Sequence, residues 1–325
     1  MEQTQTAGRN LAMEAVRVTE AAARAASEFM GRGDEKAADQ GAVRAMAAAL
    51  GGLAIDGTIR IGETPDNGSS LLVVGERTGT GNGPAVDVAL MPVEGPTIIA
   101  KGEPNGLSVI AMAEDGGFMS VPNLYMDKIA IGGGLPAGLI DINKEPLENL
   151  QALAKAKGLK VGDLVVCILD RPRHSDLIAK VREAGARIML ISDGDVSGVI
   201  ATIWGGSGID MFLGIGGAPQ GVLSAAALCC AGGQMQGRLV LRNEDDAKIA
   251  REAGFDDKDK IFNISDMAFG GITFAATGVT SGALLNGVRQ LSGVAVTHSL
   301  VLRSSTGTLR FVESHHRFGH LQSGG

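Results

Sequence analysis

Three short stretches carry the residue types that can grip phosphate and hydroxyl groups. DRPRHSD, residues 170–176, follows an apolar run and concentrates Arg171, Arg173 and His174. Guanidinium forks match phosphate oxygens in pairs, so this cluster at the carboxyl end of a strand suits a phosphate; a solvated turn is the plainer alternative. GIGGAPQGV, residues 214–222, ends one apolar run and opens a helical one, with Pro219 suited to the first helical position. The free N–H groups of such a turn can receive an anion, or simply belong to a tight connection. In SDGDVSG, residues 192–198, Asp193 and Asp195 can accept from sugar hydroxyls or cap the following helix. A nucleophilic triad has little support, because His174, His298, His315, His316 and His320 lie near no serine elbow of the G-x-S-x-G type.

These segments need a scaffold of strands and helices. Residues 11–29 and 38–50 show alanines and valines at helical spacing, and the glycines of MGRGDEKAAD break the first helix so that Asp34 stands just before the second. Residues 55–120 hold short β-type runs separated by Gly, Pro and Asn, which predicts a largely antiparallel sheet. From about Gly158 the pattern becomes strand–helix alternation, with helices expected from His174, Asp195 and Pro219. The glycine runs after Thr78 and in GGGLPAG read as loop glycines rather than dinucleotide fingerprints, since neither follows a strand and opens a helix. The expected division is an N-terminal half, 1–157, and a C-terminal α/β half, 158–325, and the tail LQSGG reads as frayed.

Composition narrows the classes further. At 325 residues with 45% hydrophobic content, one Trp and one Tyr, the chain is long enough for a large aliphatic core. The net charge of −7, with both signs interspersed, gives no basic stripe for nucleic acid. Cys167, Cys229 and Cys230 lack a CxxC spacing, so reduced core thiols are expected rather than a zinc site. The N-terminus shows no basic and apolar leader, and no apolar run reaches ~18 residues, so a cytoplasmic protein without membrane insertion is expected.

Read in order, GRGDEKAAD, IDGTIRIGE, AVDVA, YMDKI, RPRH, DGD, GIGGAPQGV and RSSTGTLR make the chain similar to the class II fructose-1,6-bisphosphatases, within the lithium-sensitive, metal-dependent sugar phosphatase superfamily. The resemblance covers residues 10–318. It implies an α/β fold, a layered α-β-α-β-α sandwich of two packed sub-domains with the active site between its halves, and a homodimer or homotetramer. It also implies a phosphorylated sugar as substrate and Mg²⁺ or Mn²⁺ as cofactor. Asp34, Glu63 and Glu94 match metal positions, Glu63 and Glu94 being the catalytic candidates. Tyr125, Arg171, Arg173, His174, Asp193, Asp195, Gly216, Gly217 and Gln220 match positions that grip the phosphosugar.

The sequence departs from the family where the chemistry is concentrated. The family reads D-P-[IV]-E-G-T at its central loop, whereas this chain has Met91, Pro92, Val93, Glu94, Gly95 and Pro96. Its G-E-G-E ends here in Thr64 and Pro65, and its GGAPEG carries Gln220 in place of the glutamate. A thioether suits a hard cation poorly, and proline has neither hydroxyl nor N–H with which to orient a water. A weakened metal site is therefore expected. Lys101 can partly replace a lost cation or stand as a surface charge. The expected function is a divergent metal-dependent sugar-phosphate phosphatase in which ordinary fructose-1,6-bisphosphatase activity is in doubt. The alternatives are another phosphosugar transferase or lyase on this scaffold, and a non-catalytic phosphosugar-binding partner subunit.

Overall fold

The computed structural model describes residues 11–64 and 70–317. Pro65 and the tail segment LQSGG therefore lie outside the described residues. The chain divides into two compact units: Met1–Asp115 with Thr273–Arg303 and Thr308–Gly325, and Gly116–Ile272 with Ser304–Gly307. This differs from the expected division near residue 157. The segment 116–157 carries a strand that pairs inside the second unit's sheet, while the last strands of the chain pair back into the first unit's sheet.

The first unit begins with helices α1 (Ala12–Ser27) and α2 (Glu35–Gly51). Strands β1 (Asp56–Ile61), β2 (Arg77–Thr78) and β3 (Ala85–Glu94), helix α3 (Pro96–Lys101) and strand β4 (Leu107–Glu114) follow. The second unit contains β5 (Tyr125–Ile131), α4 (Pro146–Lys157), β6 (Val165–Leu169), α5 (Ser175–Glu183), β7 (Arg187–Ile191) and α6 (Asp195–Ala201). It continues with β8 (Met211–Gly217), α7 (Ala218–Ala231), β9 (Gln234–Val240), α8 (Glu244–Glu252), β10 (Phe262–Asn263) and α9 (Ile264–Met267). Strands β11 (Thr273–Gly278), β12 (Arg289–Leu291), β13 (Val294–Arg303) and β14 (Thr308–Arg317) return to the first unit.

The first unit's sheet runs β12-β13-β11-β4-β3-β1-β2, with β14 also paired to β13. Its pairs are antiparallel except for β1 with β3, close to the expectation. The core is aliphatic: Ala15, Val16, Ala22 and Ala23 on α1 are buried with Ile59, Val88, Ile110 and Ala275 on the sheet. Small alanines let the helix approach the sheet closely, and each larger aliphatic side chain withdrawn from water contributes ~1.5–3 kcal/mol.

The second unit's sheet runs β10-β9-β5-β8-β6-β7. β6 is parallel to both β7 and β8, as strand–helix alternation requires, while β5 lies antiparallel between β8 and β9. Each unit thus layers helices on one mixed sheet, the α/β class expected from the sequence. No helix among the described residues is long and apolar enough to cross a membrane.

Candidate functional site

In the second unit the predicted residues gather at one end of β5 and β8. Register sets Tyr125 opposite Gly217 and Met126 opposite Gly216, so the only tyrosine of the chain stands beside the turn into α7. Arg173, exposed in the short turn after β6, places its guanidinium 5.1 Å from the centre of the Tyr125 ring and donates from Nε and Nη2 to the carbonyl of Ile215, at 3.2 and 2.8 Å. Among the described residues no carboxylate pairs with Arg173, which leaves its charge open to a ligand. Arg171 is half-buried and donates from Nη1 to the Asp170 carbonyl.

The turn from β8 into α7 depends on its glycines. A Cβ on Gly217 would meet Gln220 Oε1 at 1.8 Å, so the Gln220 side chain folds back over the turn. One on Gly216 would lie 1.9 Å from Asp195 Oδ2 and 2.9 Å from Lys128 Nζ. Pro219 sits in the first turn of α7, as its fixed φ and missing N–H favour.

Beneath the turn lies a buried ion pair. Lys128 donates from Nζ to Asp195 Oδ2 and, at 2.9 Å, to the carbonyl of Gly217, and the two side chains are 0% and 6% exposed. Asp195, expected to face a ligand or cap a helix, opens α6 but has its carboxylate engaged by Lys128. Asp193 accepts from its neighbour Gly194 N at 2.9 Å and is half-buried.

His174 also differs in placement from a ligand-facing residue. It is 1% exposed; Ile215 N donates to Nε2 at 2.8 Å, which leaves Nδ1 to donate to the Leu169 carbonyl at 2.7 Å. The neutral ring therefore ties β6 to β8, and burial lowers its pKa below the ordinary value. Gly214, at φ +134°, admits the ring, since a Cβ there would come within 3.0 Å of Nε2. On the same strand pair Asp127 is pushed up, chiefly by burial, with Arg238 opposing.

The metal candidates belong to the first unit. Asp34 is exposed and caps α2, its Oδ1 accepting from Ala37 N at 2.9 Å, while Gly31 N and Gly33 N donate to the carbonyls of Ile99 and Ala100 in α3. Glu63 is half-buried at an isolated bridge to Val73. Glu94 is buried at the end of β3, where the register with β4 shifts between Met91 and Glu94. Gly95 then turns at φ 84° and Pro96 opens α3, with Lys101 exposed at its end. Asp87, on β3, is fully buried and paired with Arg60 at 2.7 Å.

Among the described residues no three Asp, Glu, His or Cys side chains come together to hold a cation. Asp34 is committed to a helix cap and Met91 offers only a thioether, so the carboxylates of Asp34, Glu63 and Glu94 as placed make at most a weak site for Mg²⁺ or Mn²⁺.

Cavity size does not mark the chemistry. A cavity of about 480 Å³ lies at the other end of α7 around Leu228, Cys229, Gln234 and Phe269, and none of its lining residues is charged. One of about 280 Å³ is lined by Asp127, Lys144, Asp176 and Lys180. Charged and hydrogen-bond-donating side chains instead converge in the open cluster around Tyr125.

Two residues of this cluster were not singled out from the sequence. Lys128 is one; a lone lysine between apolar neighbours in YMDKIAI was its signal. Arg242, just beyond β9, is the other; its guanidinium lies 4.5 Å from the centre of the Tyr125 ring.

The chain was compared with known proteins by sequence. The family described as bacterial fructose-1,6-bisphosphatase, glpX-encoded, matches residues 9–316. The chain is 40% identical over 326 aligned residues to fructose-1,6-bisphosphatase 1 class 2 of Escherichia coli strain K12, covering 95% of each. The same figures hold for the fructose-1,6-bisphosphatase class 2 of Shigella flexneri.

Proposed function

The chain belongs to the glpX-encoded bacterial fructose-1,6-bisphosphatase family, and we propose that it is a phosphoric monoester hydrolase that removes phosphate from a sugar phosphate or bisphosphate. The observation that carries the reading is the convergence of Tyr125, Arg173 and the Gly216–Gly217 turn in the second unit. An arginine with no carboxylate partner among the described residues, beside a hydroxyl and a glycine turn, binds a phosphate ester in preference to a neutral sugar.

Within this reading the chain's own residues divide the work. Arg173 and Arg171 supply charge, Tyr125 and Gln220 supply polar contacts, and His174 and Lys128 hold the strand ends and the turn beneath them. Family membership implies a divalent-cation requirement. Mg²⁺ or Mn²⁺ would draw on Asp34, Glu63 and Glu94, with weakened binding. The three cysteines among the described residues are free, in keeping with a cytoplasmic setting, and a homodimer or homotetramer is the assembly we expect.

The finer part of the proposal is that Met91, Pro96 and Gln220 suppress ordinary fructose-1,6-bisphosphate hydrolysis. The test is phosphate release from sugar mono- and bisphosphates, with Mg²⁺ or Mn²⁺ varied, for wild type and the triple variant Met91→Asp, Pro96→Thr, Gln220→Glu. The triple variant is expected to exceed wild type sharply on fructose 1,6-bisphosphate and each single change to do little, because ligands and water-positioning groups act as a unit. Wild-type turnover near ~10 s⁻¹, an ordinary enzymatic rate, would sink the idea of a suppressed loop. No release from any sugar phosphate would remove the hydrolase reading itself.

A further inference from the structure

Arg242 follows β9, whose last residue Val240 pairs with Tyr125 across the sheet. Its guanidinium carbon lies 4.5 Å from the Tyr125 ring centre, and that of Arg173 lies 5.1 Å from the same point. Two cations beside one aromatic ring repel each other unless an anion joins them.

The position of Arg242 is set rather than floppy. Its Nε donates to Asp246 Oδ2 at 2.8 Å and its Nη2 to Oδ1 at 3.1 Å, a two-pronged pairing within the first turn of α8. Asp246 is itself buried, and its carboxylate also accepts from the backbone N of Arg242 at 2.9 Å; among the described residues all its donors belong to Arg242. A fork fixed along one edge points its remaining N–H groups in a defined direction.

Three donors around the ring have no partner among the described residues: Nη1 of Arg242, Nη1 of Arg173 and the Tyr125 hydroxyl. We propose that Arg242, oriented by Asp246, is a further phosphate-binding residue of this cluster, and that the group it holds is the phosphate ester of a sugar. The inference rests on the reading of the cluster as a phosphosugar site, but it is separable from whether hydrolysis occurs. Arg242 touches the ligand; Asp246 acts through Arg242 and is a positioning residue.

The experiment is calorimetric titration, without divalent cation, of inorganic phosphate and fructose 6-phosphate into the full chain, with fructose as the uncharged control. Wild type, Arg242→Gln, Arg242→Lys, Asp246→Asn and the Arg242→Gln/Asp246→Asn double variant are compared. Loss of a charge-assisted hydrogen bond corresponds to about tenfold or more in affinity, so Arg242→Gln is expected to weaken both phosphate ligands by ~10-fold. Arg242→Lys should recover part of this, and Asp246→Asn should weaken binding in the wild-type background but not when Arg242 is already replaced.

Steady-state phosphate release from the sugar mono- or bisphosphate that wild type hydrolyses fastest is measured beside binding. A rise in KM with little change in kcat is expected for Arg242→Gln, because the contact is equally present before and during reaction. Wild-type affinity in Arg242→Gln, or no detectable binding of either phosphate ligand to wild type, overturns the inference. Weakened binding in Arg242→Gln together with no phosphate release by wild type from any sugar mono- or bisphosphate leaves the inference standing and removes the hydrolase reading alone. Arg242 is exposed at its guanidinium, so the variant should fold; an unchanged thermal midpoint checks this, and should Arg242→Gln fail to fold, Arg242→Lys titrated against wild type decides by the same criterion.

Discussion

Replacing Lys128 with Met should cost the second unit about 3–5 kcal/mol, the range for removing one partner of a buried ion pair. The figure follows from where the pair sits. With side chains 0% and 6% exposed, neither charge can turn to water when the other disappears. Asp195 would remain as a buried carboxylate between Gly216 and α6, and the Gly217 carbonyl would lose the donor it accepts from at 2.9 Å. The methionine chain restores most of the lysine's apolar stem, so the loss reports charge rather than cavity. Trp204, the single tryptophan, lies just beyond α6 in this unit and gives a fluorescence signal for its denaturant unfolding. In thermal unfolding the same loss corresponds to a midpoint lower by roughly 6–20 °C. The double variant Lys128→Met/Asp195→Leu should regain much of the loss, because a buried pair replaced by apolar groups is often neutral to stability. A single variant within ~1 kcal/mol of wild type, or a double variant no more stable than the single, would refute the assignment of this pair as a buried support of the turn.

The remaining expectations concern the same elements. Gly216→Ala should weaken fructose 6-phosphate binding at least tenfold and lower stability by about 1–3 kcal/mol, since its Cβ would fall 1.9 Å from Asp195 Oδ2; calorimetry with wild-type affinity would contradict this. His174 is kept neutral by burial, so between its lowered native pKa and the ordinary value near 6.5 the unfolded chain binds the extra proton and stability falls as pH falls. A thermal midpoint that stays flat or rises from pH 7.5 to 5.5 would exclude this, and His174→Asn should flatten the decline. Burial pushes the Cys167 and Cys230 thiols up to about 12, so at pH 8 a thiol reagent should label the half-buried Cys229 first, as read by peptide mass spectrometry. Equilibrium dialysis should find Mg²⁺ bound weakly and at fewer than two sites per chain; two tightly held ions without ligand would overturn the weakened-site argument.

Much of the local structure was legible in the sequence because its signals are themselves local. Asp34 before an alanine-rich run, Pro219 after a glycine turn, and strands alternating with helices from residue 158 each depend on a few neighbouring residues, and each element formed near the expected place. The ordered motifs also determined the family. The division into units was not legible, since β11–β14 complete the first unit's sheet through pairings with β4 and with one another, and sequence distance says nothing about which edge a strand will join. The same long-range pairing decided the roles of single side chains. His174 and Asp195 carry residue types that suit a ligand, but tertiary packing turned one onto the backbone of β6 and β8 and buried the other against Lys128. Arg242 is 117 residues from Tyr125 in the chain, yet the β5–β9 register sets them side by side. Residue types and spacing determine what chemistry is possible; burial and strand register, which depend on the whole fold, decide which charges are consumed internally and which are left for a ligand.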